Sequence, residues 1–187
     1  AQAFTRQNKL PWNEDTLIVG SRRNFARKEP TIAIGGVDVA RTGYHFDVVV
    51  GDDYHSEKNV TTKEQIAKVR EHIQHMTMIL DPQTTMLLTG TRWHEADAYG
   101  WIIEELEGLR LTEPGVYRGK LFDIMWYPWR WGAPTPDEGL DPATQTVAGH
   151  RYFTPEIWNE RTIQPLRKVL TPYQFAAQME NNPFDDA

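Results

Sequence analysis

The chain has 187 residues, of which 40% are hydrophobic and 25% charged, so it can bury one good core as a single globular unit. It contains no cysteine, which excludes a disulfide framework and a thiolate metal site, and it has no run near the roughly 18 apolar residues of a membrane span, so a soluble intracellular protein is expected. The formal net charge of −6 argues against a protein that wraps nucleic acid over its whole surface, because phosphate binding relies on clustered Lys and Arg.

The first third of the chain predicts three strands, Thr16 to Val19, Thr31 to Val37 and the run FDVVVG from Phe46. The valines of that run predict a strand buried on both faces, as in a mostly parallel sheet. Two adjacent acids, Asp52 and Asp53, follow it directly. Open α/β sheets hold their ligands at the carboxyl ends of strands, so the pair is a candidate site, although a solvated acidic turn is the competing interpretation.

A long amphipathic helix is predicted next. Thr61 and Thr62, followed by Glu64 and Gln65, have the spacing of a capping box. Apolar side chains then recur at helical intervals, at Ile66, Val69, Ile73, Met76 and Leu80. Asp81 and Pro82 are expected to end the helix, and TMLLT, 85–89, to form another strand. A strand, a helix and a strand in this order predict a parallel pair, with both strand tips at one edge.

The remainder of the chain predicts mixed elements. A second helix is expected from about Glu95 to Leu106 and a further strand from Leu121 to Trp126. A stretch rich in Pro, Gly and Asp, 128–152, predicts a surface loop or flap. Helical segments are expected after Thr154 and Thr171, since proline follows each at the first helical position.

The acid pair and the Thr-Gly-Thr turn at 89–91 suit a magnesium nucleotide. Mg²⁺ keeps much of its water and is held by one or two carboxylates, while a second acid can orient or deprotonate an attacking water. A hydroxyl at the neighbouring strand end could sense the γ-phosphate. At matching strand ends, one helix apart, the two features support each other.

The strings VVVGDD and LLTGTRWHEADAYGWI, with the capped helix between them, resemble the second half of the ATPase domain of the large terminase subunit. That family is the motor that packages DNA into tailed-phage capsids. The resemblance runs from about Val19 to Gly108, and YQFAAQMENNP is similar to the segment that leads to the nuclease domain. It implies an α/β, parallel-sheet P-loop NTPase-like core of the ASCE type, incomplete in this chain, with a helical C-terminal segment. The implied division is a partial ATPase core over 1–127, the loop over 128–152 and the helical segment over 153–187.

Site residues follow from the same resemblance, position by position. Asp52 becomes the magnesium carboxylate and Asp53 the catalytic acid of a Walker B motif, while Thr89, Gly90 and Thr91 form the coupling motif at the nucleotide. Arg41 is implied as an arginine finger for a neighbouring subunit's nucleotide, with a solvated loop arginine as the competing interpretation. Arg92 and His94 are expected to be structural or DNA-facing.

The resemblance also implies cofactors, partners and a location. The cofactors are ATP and Mg²⁺, and the partners are double-stranded DNA, a portal protein, a small terminase subunit and further copies of the chain in a ring, with no membrane. The location is the cytoplasm of an infected bacterial host. However, the sequence has no GxxxxGK[ST] phosphate loop, and its Gly119-Lys120 pair lacks the rest of that motif. We therefore expect a fragment that alone neither binds ATP tightly nor hydrolyses it.

Two other classes of function compete with this interpretation. IGGVDVARTGYHFDVVVG also resembles the first hairpin of a ribonuclease H-like nuclease, in which Asp38, Asp47 and Asp52 would help to hold two metal ions. A non-enzymatic assembly module would instead use the segment Trp126 to Trp131. His72 and His75 have the spacing of helical metal ligands, but the sequence suggests no third ligand.

Overall fold

The structure, a computed structural model, describes residues 10–24, 26–39, 43–132 and 139–183, and for 81–83 it describes the backbone only. The fold is mixed α/β with four two-stranded sheets among these residues. Composition predicted one globular unit, whereas the chain divides into two compact units. The first unit is Ala1–Tyr54 with Lys68–Thr89, and the second is His55–Ala67 with Gly90–Ala187.

The first unit contains two of the sheets. Strands β1 (Thr16–Leu17) and β2 (Ile32–Ala33) pair antiparallel and are much shorter than the sequence predicted. Strands β3 (Phe46–Asp52) and β4 (Leu80–Thr89) pair in parallel, as predicted from the strand, helix and strand order.

Strand β4 begins earlier than predicted. Helix α1 (Lys63–Met78) ends before Asp81 and Pro82, which lie inside β4 instead of ending the helix. Phe46 pairs with Leu80, but the next pair is Val48 with Thr85, so the extra residues of β4 form a bulge. Pro82 is tolerated there because a bulged residue need not donate a ladder hydrogen bond.

Helix α1 confirms the predicted start and period. The Gln65 N–H donates to Thr62 Oγ1 at 3.2 Å, and the Thr62 N–H donates to Gln65 Oε1 at 3.2 Å, which completes the capping box. The four predicted core positions within the helix are all buried, at Ile66, Val69, Ile73 and Met76.

The expectation that β3 is buried on both faces is wrong for the described residues. Val49 packs in a cluster with Met76 and Ile79, so one face of the strand is covered. Val48 and Val50, on the opposite face, are 56% and 61% exposed. Alternation along a strand sends successive side chains to opposite faces, and α1 covers only one of them.

The second unit contains the remaining elements. Its strands form two antiparallel pairs, β5 (Gly115–Tyr117) with β6 (Ile124–Trp126) and β7 (Arg130–Trp131) with β8 (Arg151–Tyr152). Its helices are α2 (Ala98–Gly100), which continues as a π-helix over Trp101–Leu106, α3 (Glu160–Val169), and α4 (Pro172–Phe175), which continues as a π-helix over Ala176–Glu180.

Two predicted helix starts in the second unit have different outcomes. Thr171 caps α4 as predicted, since its Oγ1 accepts a hydrogen bond from the Gln174 N–H at 3.2 Å. The start after Thr154 is wrong, because α3 begins at Glu160. Asn159 provides the cap, and its Oδ1 accepts from the Thr162 N–H at 3.1 Å. Asparagine is at least as good an N-cap as threonine, so a helix capped by Asn159 loses no capping stability relative to one capped by Thr154.

Buried apolar side chains among the described residues of the second unit pack in clusters. One contains Trp129, Ile163 and Phe175, and another contains Val60, Ile66, Trp93 and Ala177. No described helix is both long and apolar enough to cross a membrane.

Candidate active site

The carboxyl ends of β3 and β4 bring Asp52 and Thr89 together, as the sequence predicted. The two residues are partners in the parallel register. Thr89 Oγ1 donates a hydrogen bond to Asp52 Oδ1 at 2.6 Å, and the Asp53 N–H donates to the Thr89 carbonyl at 3.0 Å. The acid pair and the threonine therefore form one hydrogen-bonded edge of the first unit.

Asp53 is held in an uncommon backbone conformation at this edge. Its φ is 45°, in the left-handed region, where aspartate is tolerated better than most residues. Before it, a Cβ on Gly51 would overlap the Tyr54 ring and the Leu88 side chain, so a larger residue does not fit there. Such local strain is found more often at functional sites than elsewhere.

The donor set at these strand ends fits a magnesium ion held mainly by water. The Asp52 and Asp53 side chains are exposed, and Asp52 Oδ2 and the Asp53 carboxylate accept no hydrogen bond from the described residues. Mg²⁺ takes one or two carboxylates and keeps several waters. Within the described part of the chain, no group of three His, Asp or Glu side chains is placed to enclose a metal ion.

The structure does not test whether the other predicted site residues belong to this edge. Arg41 lies outside the described residues. Gly90 and Thr91 follow Thr89 directly but belong to the second unit. A Cβ on Gly90 would overlap the Tyr99 ring, so this glycine is required by close packing within that unit.

The string TRWHEAD forms a turn closed by a buried ion pair. The Arg92 Nε and Asp97 Oδ1 lie 2.9 Å apart, and the Asp97 side chain is fully buried. Arg92 also donates to the Glu95 carbonyl at 2.9 Å, and its own N–H donates to Asn181 Oδ1 at 3.0 Å. The expectation that Arg92 is structural agrees with these contacts.

Asp97 connects this turn to the helix that follows, and sequence reasoning missed it. Its Oδ1 caps α2 by accepting from the Gly100 N–H at 2.7 Å. Its Oδ2 accepts from the Trp93 N–H at 3.0 Å and the His94 N–H at 3.3 Å. Aspartate before Ala-Tyr-Gly is an N-cap signal, and the predicted start at Glu95 overlooked it.

Two further buried polar side chains were not predicted. His55, only 1% exposed, accepts a hydrogen bond at Nε2 from the Ala98 N–H at 2.9 Å, which assigns its neutral form a proton on Nδ1. Glu107 accepts from the N–H groups of Lys120, Leu121 and Phe122. Burial by itself raises the pKa of Glu107, but these three N–H groups outweigh it and lower the pKa below its usual value.

The nuclease interpretation gains no geometric support. Strand β2 pairs with β1, and β3 pairs in parallel with β4, so the predicted hairpin is not present among the described residues. Asp47 and Asp52 are five positions apart on one strand, or about 16 Å. Asp47 is paired with Arg27 at 3.0 Å, and Asp38 with Lys68.

The two histidines of α1 have different environments. His72 is buried, and its ring meets the Tyr54 ring edge-on at 5.1 Å. Burial lowers the pKa of His72, as does the charge of His75, while the Val37 carbonyl and Asp38 act in the opposite direction. His75 is exposed and lies 3.9 Å from Glu71. The pair is better explained by packing than by metal binding.

Known proteins add no identification. No protein-family model matches this chain, and no curated protein sequence is similar to it. The terminase resemblance therefore remains a prediction that depends on the residues and on the geometry of the two strand ends.

Proposed function

We propose that this chain supplies the acid-pair edge of an ATPase site in a terminase-like motor that moves double-stranded DNA into a procapsid. The observation that carries the proposal is the hydrogen bond from the Thr89 hydroxyl to Asp52 at the aligned ends of two parallel strands. Ligands of open α/β sheets bind at this edge, and magnesium nucleotides need a carboxylate there.

Each residue at the edge has a separate role under this proposal. Asp52 would hold the magnesium ion, and Asp53 would orient or deprotonate the attacking water. A bound magnesium ion would neutralise charge on the phosphate oxygens. The phosphate loop, which the sequence lacks, must come from another part of the motor, so the chain alone binds Mg-ATP weakly.

Under this proposal, Thr89 couples ATP hydrolysis to the movement of DNA. Its hydroxyl donates to the Asp52 carboxylate that would hold the metal ion, so a change at that carboxylate would be felt by the Thr89 hydrogen bond. Gly90 and Thr91 follow at once and lead into the Arg92–Asp97 turn, which is rigidly hydrogen bonded. Portal protein, a small terminase subunit and a ring of copies in the host cytoplasm complete the proposed setting.

The metal-binding step can be tested on this chain alone with Mn²⁺, a paramagnetic substitute for Mg²⁺. We expect Mn²⁺ to broaden the amide NMR signals of Asp52, Asp53 and Thr89 first. Asp52→Asn should remove most of this broadening, because an amide oxygen carries no charge for the ion. The matched control is Asp47→Asn on the same strand, about 16 Å away, which should leave the broadening intact.

Two results would count against the proposal. The first is equal broadening in the wild type and in Asp52→Asn. The second is micromolar affinity of the isolated chain for Mg-ATP in titration calorimetry, since that affinity would require a phosphate-binding element of a different kind within these residues.

A further inference from the structure

The second unit contains a cavity of about 750 Å³ that the proposed ATPase site does not use. Its wall comes from the end of β6, from β7, from 109–111 and from the end of the last helix. The backbone N–H of Trp129 donates to the Met179 carbonyl at 2.9 Å, and this hydrogen bond connects the chain before β7 to that helix. Small-molecule sites typically measure about 300–1,000 Å³, so the cavity has the size of a binding site.

Two tryptophans of the cavity wall lack aromatic partners. Trp126 and Trp131 are half-buried, and neither ring is paired with another ring or a cation among the described residues. Trp126 stands opposite Gly115 in the β5–β6 register, so no side chain faces it across the strands. Trp129, between them in sequence, is instead 4% exposed and packs against Tyr152 and Phe175. Two half-buried indoles without ring partners at one cavity favour a flat ligand that stacks.

The charges of the wall limit how much negative charge the ligand can carry. Three arginines line the cavity, but Arg92 is paired with Asp97 and Arg130 with Glu160. Arg110 is exposed and makes no hydrogen bond or ion pair with the described residues. Two acids of the wall, at positions 104 and 180, oppose further negative charge. One guanidinium without an ion pair among the described residues, in a wall that also holds two acids, suits one phosphate group and not a triphosphate.

Two amides complete the set of groups. Asn181 has φ 50° at the end of the last helix, and its Oδ1 is used by the Arg92 N–H, which leaves its NH₂ group as a donor. Asn182 is exposed beside it. A carboxamide presents a donor and an acceptor together, as the edge of a nucleobase does.

We propose that this cavity binds a nucleotide carrying a single phosphate. The base stacks on Trp126 and Trp131, its edge bonds to Asn182, and the phosphate bonds to Arg110. The nucleotide is either a free nucleoside monophosphate or one unstacked nucleotide of a single strand. The proposal does not rest on the ATPase function, because all of its residues belong to the second unit and Asp52 and Thr89 belong to the first.

The test uses the indole N–H signals in ¹H–¹⁵N NMR spectra of the whole chain, assigned through Trp126→Phe and Trp131→Phe. The probes are AMP, adenosine, inorganic phosphate, ATP and a short single-stranded oligodeoxynucleotide. We expect AMP to shift both indole signals and ATP to bind no more tightly than AMP. Arg110→Gln should weaken AMP binding about tenfold, the loss of one charge-assisted hydrogen bond, and leave adenosine binding unchanged.

Arg118→Gln is the matched control, because Arg118 is exposed, pairs with Asp123 and does not line the cavity. An unchanged Trp129 signal checks that each variant is folded. Shifts with AMP but not with the oligonucleotide assign the site to free nucleotides, and the reverse assigns it to a strand. The proposal is overturned if neither probe shifts the two indole signals, if inorganic phosphate alone reproduces the shifts, or if Arg118→Gln weakens AMP binding as much as Arg110→Gln.

Discussion

Two carboxylates, one in each unit, are used in opposite ways. In the first unit, Asp52 accepts one hydrogen bond from the described residues and remains exposed to solvent. In the second, Asp97 is fully buried and accepts from three backbone N–H groups in addition to its contact with Arg92. Glu107 is likewise held by three backbone N–H groups. A carboxylate whose lone pairs are occupied stabilises the fold, whereas one with free oxygens can take a ligand.

The string TGTRWHEAD is mostly structural, although it is the most distinctive string in the sequence. TGTRWHEAD suggested a functional motif, but from Arg92 onward its polar side chains mainly contact one another and the neighbouring backbone. Thr89, at its first position, is instead part of the candidate site. Three substitutions test this difference between buried and exposed carboxylates.

Asp97→Ala should have the largest effect. It leaves Arg92 buried without its partner, removes the cap of α2 and leaves backbone N–H groups unpaired. Removing one partner of a buried ion pair typically costs about 3–5 kcal/mol in free energy of unfolding. Urea denaturation followed by tryptophan fluorescence measures this loss.

The control for that substitution is Asp123→Ala, which removes the exposed pair with Arg118 and should cost less than about 1 kcal/mol. Equal losses for the two variants would show that the buried Arg92–Asp97 pair stabilises the fold no more than an exposed pair does.

Glu107→Gln should have an intermediate effect that depends on pH. The pKa of Glu107 is lowered in the folded chain, so its contribution to stability is fully present above the unfolded value of 4.5 and is lost as pH falls through the lower folded pKa. Glutamine keeps one acceptor oxygen but not the charge. The wild type should therefore be the more stable of the two at neutral pH, and the difference should shrink in acid.

Urea midpoints of both proteins, measured from neutral pH to below the pKa of a free glutamate, provide this comparison. A difference in stability that stays constant across that range would mean that the charge of Glu107 does not contribute.

Thr89→Val should have the smallest effect on stability, below about 1 kcal/mol, because it removes one hydrogen bond between exposed groups and keeps the shape of the side chain. Its expected signature is functional. Mg²⁺ should still shift the amide signal of Asp52, but the accompanying shifts at Gly90 and Thr91 should disappear. Persistent shifts at those two residues would remove Thr89 from the proposed link, and Thr89→Ser, which keeps the hydroxyl, should behave as the wild type.

Much of helix α1 and of the parallel β3–β4 pair was predictable because the signals for them are local. The capping box at Thr62 and Gln65 and the period of Ile66, Val69 and Ile73 lie within one helix, so hydrogen bonding and burial there follow from neighbours in sequence. The parallel pairing of β3 with β4 follows from the helix between them. The exposure of Val48 and Val50 was not predictable, because it depends on what covers the second face.

The sequence by itself determined that two acids follow a strand and that a threonine ends the next one, which makes their meeting at one edge a consequence of chain order. Only the tertiary structure decided how each polar side chain is used. Asp52 ends a strand and Asp97 caps a helix, and the first is exposed while the second is buried and hydrogen bonded. Likewise, Trp129 enters the core while Trp126 and Trp131 line a cavity. The reason is that burial is set by segments distant in sequence, which no local pattern encodes, even where the hydrogen-bond partners, as for Asp97, lie within five positions.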